Sequence, residues 1–78
     1  MLPVNKILIH FSGDATVLQY KIDEAEALSI ESDFTGFIEK GEPKAKTYNA
    51  IDDSPRHSGR DVRFTLRYET VSLIELTS

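Results

Sequence analysis

Apolar and polar residues alternate from Lys6 to Phe11, with Ile7, Ile9 and Phe11 on one face and Lys6, Leu8 and His10 on the other, as a half-buried strand requires. Ser12-Gly13-Asp14 is a turn signal, and a second β-rich run covers Thr16 to Ile22. A two-residue turn at Gly13-Asp14 sets Phe11 opposite Thr16, Ile9 opposite Leu18 and Ile7 opposite Tyr20. The period then changes. Asp23 stands at an N-cap position with Glu26 three places on, the Asp form of a capping box, and a helix is expected from Glu24 to Lys40. Ala27, Ile30, Phe34, Phe37 and Ile38 fall within a sector about 100° wide, the stripe with which an amphipathic helix lies on a sheet. Gly36 falls on the opposite face, where it costs about 1 kcal/mol of helix propensity and leaves no hole in the core. Gly41 and then Pro43 end the helix.

Lys46 to Ile51 reads as a third strand with Tyr48 and Ala50 inward, and Asp52 to Gly59 as a surface loop. The clearest strand follows: Val62, Phe64, Leu66 and Tyr68 alternate with Arg63, Thr65, Arg67 and Glu69. Past Glu69 the parity breaks, since Val71 and Leu73 are odd while Ile74 and Leu76 are even. A one-residue slip reverses every side chain, so the chain must bend or bulge near Thr70 or Leu73 before a short last strand at Ile74 to Leu76. The order is ββαββ plus a short C-terminal strand: an α+β domain, a small antiparallel sheet with one amphipathic helix packed on it.

Seventy-eight residues make one small domain, burying about 60–65% of the surface its unfolded chain exposes, and residues 1–78 are read as a single globular unit. Without cysteine there is neither a disulfide nor a thiolate metal site to compensate for a small core, and the cytoplasm is the expected location. Ile7-Leu8-Ile9, ended at once by His10, is far too short for a membrane span.

A net charge of −4 opposes general affinity for nucleic acid, but the charge is segregated. Between Asp23 and Glu42 there are seven acids and one base, Lys40, whereas all four arginines, Arg56, Arg60, Arg63 and Arg67, lie with His57 in one window holding a single acid, Asp61. Guanidinium groups recognise phosphates and carboxylates through a planar fork of donors, so these five residues are the candidate partner- or anion-binding site. Arg63 and Arg67 lie about 13 Å apart on the polar face of one strand. They are expected to face solvent or to pair with carboxylates of the helix or of a neighbouring subunit. Nucleic-acid binding would want aromatic rings beside the bases, but Phe64 and Tyr68 have the opposite parity and point away.

Ser54, His57 and Ser58 supply the parts of a hydrolase loop without the third, orienting group that fixes a nucleophile and its base, so no catalytic residue is assigned. Asp52, Asp53 and Asp61 lack calcium-loop spacing and two isolated histidines do not make a zinc site, so neither metal nor other cofactor is expected. His10 reads as a half-exposed sheet residue. The helix acids, Glu26 and Asp33 on one flank and Glu24 and Glu31 on the other, read as a solvated polar arc rather than a mimic of a nucleic-acid duplex. The expectation is a small non-enzymatic interaction module, a regulator or inhibitor of another protein that can self-associate through a sheet edge. The alternative is a binder of RNA or single-stranded DNA through the arginines.

Overall fold

The computed structural model describes residues 6–56 and 59–77. In order these form β1 (Lys6–Phe11), β2 (Val17–Lys21), α1 (Glu24–Lys40), β3 (Ala45–Asp52), β4 (Asp61–Arg67), a 3-10 turn (Tyr68–Thr70) and β5 (Val71–Thr77). The strands build one antiparallel sheet in the order β4-β3-β2-β1-β5, with the helix between β2 and β3. The α+β reading is therefore correct.

Local chemistry explains the boundaries. The first hairpin has the expected register, Ile7 with Tyr20 and Ile9 with Leu18. Gly13 takes φ 70°, and Asp14 Oδ1 accepts from the Thr16 N–H at 2.8 Å, closing the turn. The ladder stops at His10 and Val17, so the Phe11–Thr16 pair does not form; Phe11 pairs with Val71 of β5 instead. Asp23 Oδ1 accepts from the Glu26 N–H at 2.9 Å, and Gly41, at φ 79°, donates its N–H to the Phe37 carbonyl at 2.8 Å. The Glu42–Pro43 peptide is cis.

Two helix positions depart from the sequence reading. Ile38 is 67% exposed and does not belong to the packing stripe. The helix is turned so that the flank carrying Glu26 and Asp33 meets β3, which swings Ile38 on the other flank out of the interface. Gly36 is also more than a propensity cost: a Cβ there would lie 2.9 Å from the Glu42 carbonyl oxygen, so the loop leaving the helix folds back against this residue.

The core lies between the helix and one face of the sheet. Ile7, Ile9, Ile30, Leu66, Tyr48 and Tyr68 are fully buried there, and Phe34 and Phe37 stack on the Tyr68 ring. Each fully buried aliphatic side chain removes enough apolar surface to contribute about 1.5–3 kcal/mol. β4 and β5 occupy opposite edges of five strands, which in a flat sheet are about 19 Å apart. The four steps from Arg67 to Val71 span at most about 14 Å, so the sheet must curl to bring its edges together at that corner. Backbone bonds hold the corner: the Tyr68 N–H donates to the Lys44 carbonyl at 2.9 Å and the Ser12 N–H to the Thr70 carbonyl at 2.8 Å. The curl is also visible where β2 meets β3, which pair only at Tyr20–Asp52 and Lys21–Ile51.

The parity break resolves at the same corner. Val71 is buried, the register of β5 on β1 shifts at His10/Phe11, and beyond the shift Ile74 and Leu76 take the inner face while Leu73 is left 48% exposed. The last strand is not short: it spans seven residues, Val71 to Thr77, because the ladder on β1 begins immediately after the 3-10 turn. Among the described residues no helix is long and apolar enough to cross a membrane.

Candidate interaction surface

The helix covers one face of the sheet and leaves the other open. On β4 the inward residues Phe64 and Leu66 are buried, and Asp61, Arg63, Thr65 and Arg67 are exposed on the open side. Arg63 stands beside Asn49, Thr65 beside Thr47 and Arg67 beside Ala45, so the surface around the arginines is made of small, uncharged residues. Thr47 and Thr65 join hydroxyls at 2.8 Å across the strands. Among the described residues no ring contact with a guanidinium group forms: Phe64 stacks on Tyr20 at 4.6 Å and meets Tyr48 in a tilted contact at 5.9 Å, inside the molecule.

The loop that feeds β4 is anchored at its base. The Asp52 N–H donates to the Arg60 carbonyl at 2.8 Å and the Gly59 N–H to the Asp52 carbonyl at 3.1 Å. Asp53 ties the loop to the first hairpin by accepting from Gln19 Nε2 at 2.9 Å, with Lys21 Nζ at 3.4 Å and Lys6 Nζ at 4.0 Å. The Gln19 bond, then Lys21 and Lys6, hold the Asp53 carboxyl below its ordinary value of 3.8 against a smaller opposing effect of burial. Arg56 and Arg60 are both exposed on this loop, and His57 lies outside the described residues, as does Ser58.

The arginines are thus brought onto one strand and the loop preceding it, and they are largely unanswered. Arg67 meets Glu69 at 3.3 Å, a pair exposed to solvent on both sides and of little energetic weight. Among the described residues Arg56, Arg60 and Arg63 have no ion-pair partner. The helix carboxylates cannot serve, because they lie across the sheet. His10 is half-buried beside Val17 and places Nε2 3.2 Å from Glu75 of β5.

Those helix carboxylates are instead used by β3, a role the amphipathic pattern did not reveal. Glu26 accepts the Asn49 backbone N–H at 2.8 Å, a donor on the edge of β3 beyond its pairing with β2. Asp33 accepts from the Tyr48 hydroxyl at 2.7 Å and from Lys46 Nζ at 3.1 Å, and the Tyr48 and Tyr68 hydroxyls are hydrogen-bonded to each other. Because the Tyr48 proton is directed at Asp33, Tyr68 donates to Tyr48, making a chain from Tyr68 to Tyr48 to Asp33. Burial raises the Asp33 carboxyl, but the bonds from Tyr48 and Lys46 and the Lys46 charge outweigh it and leave it below 3.8. Burial is also the main reason both phenols are raised: Tyr48 strongly, with its bonds to Tyr68 and Asp33 adding, and Tyr68 to about 12, eased by its bond with Tyr48 and raised further by Asp33. One signal for this network was present in the sequence. Tyr48 was inward-facing, and a buried tyrosine hydroxyl needs a partner.

A shallow depression of about 670 Å³ adjoins this network at Asp33 and Lys46 and is lined also by Lys40, Glu42, Pro43 and Lys44, a mixed-charge surface with no enclosed chamber. Among the described residues no three His, Asp or Glu side chains gather as a metal site would need. Comparison with protein-family models, with curated proteins and with solved structures gives no match for this chain.

Proposed function

We propose that this chain is a small non-enzymatic interaction module that binds protein through the open face and edge of β4, with Arg56, Arg60, Arg63 and Arg67 as its recognition groups and the cytoplasm as its setting. The observation that carries this reading is the contrast in partners: Glu26 and Asp33 of the helix are bonded to β3, whereas three of the four arginines are exposed without an acidic partner among the described residues. Cations held on a strand and an anchored loop are positioned for carboxylates of another molecule, where they steer encounter and select partners. β4 is also an edge strand, with one row of backbone groups free to pair. Binding of RNA or single-stranded DNA has weaker support, because the aromatic side chains that would stack on bases are packed on the helix side.

The test combines size-exclusion chromatography with light scattering and affinity capture on immobilised protein, with wild type beside the double variant Arg63→Glu/Arg67→Glu. Capture or self-association that is lost in the double variant and weakens with salt is expected. A strict monomer that captures nothing would refute the reading. Retention of mixed oligonucleotides at about 50 mM salt, lost in the same variant, would replace it with the nucleic-acid reading.

A further inference from the structure

β4 and β5 are the two edges of the sheet, and because every neighbouring pair is antiparallel they run in the same direction. The ladder of β4 on β3 fixes which of its backbone groups are free. The Asp52 N–H donates to the Arg60 carbonyl and the Tyr68 N–H to the Lys44 carbonyl, so the even residues of β4 are the ones bonded to β3. Bonded and free positions alternate along an antiparallel strand, and the N–H and C=O groups of Asp61, Arg63, Thr65 and Arg67 therefore point to the open edge. We propose that two copies of this chain join antiparallel through these β4 edges, about a two-fold axis at Phe64, as a symmetric dimer with Asp61 of each copy opposite Arg67 of the other. This rests on the reading of the chain as an interaction module and names the partner as the chain itself.

The register follows from the free groups and the charges. A two-fold axis normal to the sheet keeps both helices on one side, so residues directly opposite each other share a face. With Phe64 opposite Phe64 of the second copy, all seven residues of each strand overlap, and the free groups meet as Asp61 with Arg67 and Arg63 with Thr65, each twice. On the helix side Val62 meets Leu66 and the two Phe64 rings meet. Val62 is only half-buried within one copy, so the junction covers apolar surface at the rim of the core. Asp61 is exposed, with no side-chain bond among the described residues, and the Arg67–Glu69 contact, exposed on both sides, competes weakly for the guanidinium. Sliding by two residues sets Arg63 against Arg63 in one direction and against Arg67 in the other. Joining β5 to a second β5 in full overlap sets Glu75 against Leu73, and laying β4 parallel on β5 in full overlap sets Thr65 against Glu75. The parallel register that does bring Arg63 to Glu75 keeps only Asp61 to Thr65 of β4 in the pair. Opposite charges across a strand pair stabilise it, like charges oppose it, and parallel pairing is weaker per residue, so β4 on β4 is the register selected.

Such a junction uses the same patch on both copies and closes at two. A charge swap tests it in sedimentation velocity across about 5–200 μM full-length protein at low salt. Wild type is expected to pass from monomer to dimer over this range and no further. Asp61→Arg and Arg67→Glu should each weaken the dimer about tenfold, because the two-fold axis puts like charges face to face at both ends. An equimolar mixture of the two variants, and separately the double variant Asp61→Arg/Arg67→Glu, should regain the dimer because opposite charges again meet. Thr65→Pro removes an N–H that β3 does not use and should abolish the dimer, whereas Thr65→Ala, which keeps that N–H, should not. Circular dichroism should show all variants folded, as the substituted side chains are on the surface. A wild type that stays monomeric throughout, a dimer indifferent to the charge changes or to Thr65→Pro, or failure of both the mixture and the double variant to recover would overturn the inference. Species larger than a dimer that dissociate on Glu75→Arg would replace it with the parallel β4–β5 junction. A monomer that still captures another protein in an Arg63-dependent manner would overturn this pairing alone and leave the interaction-module reading standing.

Discussion

Two regions concentrate charge in this molecule, the flank of α1 that carries Glu26 and Asp33 and the open face of β4 that carries Arg63 and Arg67, and they are used in opposite ways. The acids are turned inward against β3, where Glu26 takes a backbone N–H and Asp33 takes a phenol and an ammonium. The arginines are turned outward, with one exposed acidic partner between them among the described residues, Glu69 beside Arg67. Charge content alone does not separate the two. What separates them is whether the geometry of the fold leaves a partner within reach. A charge that satisfies a half-buried donor supports the fold, and a charge left without one is available to another molecule.

The largest effect should come from breaking the acidic side. Tyr48→Phe removes the hydroxyl that both accepts from Tyr68 and donates to Asp33, stranding a buried phenol, and is expected to cost about 1–3 kcal/mol in urea unfolding. Tyr68→Phe removes only the terminal donor, leaves Tyr48 bonded to Asp33, and should cost about 0.5–1.5 kcal/mol. Equal losses in the two variants would mean that the chain of hydroxyls does not carry the effect.

The same network sets the limits of stability with pH. The Asp33 carboxyl is lowered in the folded protein, so its contribution is complete above the unfolded value near 4 and is lost as pH falls through the folded one. The tyrosines are raised, so theirs is complete below about pH 10 and is lost as pH climbs toward about 12, where Tyr68 titrates. Thermal melts across pH should fall away on both sides, and Asp33→Asn should make the acid side shallower, with the lowered Asp53 carboxyl still contributing to it, while leaving an alkaline decline. An unchanged acid limb in that variant would remove Asp33 from the account.

A smaller effect is expected on the back of the same helix. By propensity alone Gly36→Ala should stabilise by about 1 kcal/mol. The added Cβ would meet the Glu42 carbonyl oxygen at 2.9 Å, and because that atom belongs to the backbone, the loop must shift to accept it. A net loss, seen as a Tm lowered by a few degrees, is the expected outcome; a rise would show that the loop yields easily.

What could be read in the sequence follows from how local each cause is. The hairpin register, the helix bounds from Asp23 to Gly41 and the inward face of β4 depend on neighbours in the chain, and the structure has them as the patterns imply. The curl of the sheet, the rotation of α1 that exposes Ile38, and the length of β5 depend on contacts across the fold. Glu26 illustrates the difference. As a capping-box residue it was visible from Asp23, but its side chain turns to Asn49, far along the chain, and no spacing rule announces that bond. For the arginines, parity placed Arg63 and Arg67 on one face, while the lack of acidic partners among the described residues could be seen only once the helix was known to lie on the other side.

The smallest effect on stability should come from the basic side, and it makes the contrast sharpest. Arg63→Glu reverses a charge that is fully on the surface and unpaired among the described residues, so unfolding free energy should change by no more than about 0.5 kcal/mol. Its neighbour across the strands is Asn49, which neither repels the new carboxylate nor loses a bond with the old guanidinium. Urea unfolding of this variant beside Tyr48→Phe therefore asks whether the two charged regions differ in kind. A loss from Arg63→Glu as large as that from Tyr48→Phe would place the arginine among the residues that hold the fold, and the open face of β4 would cease to be a surface kept for a partner.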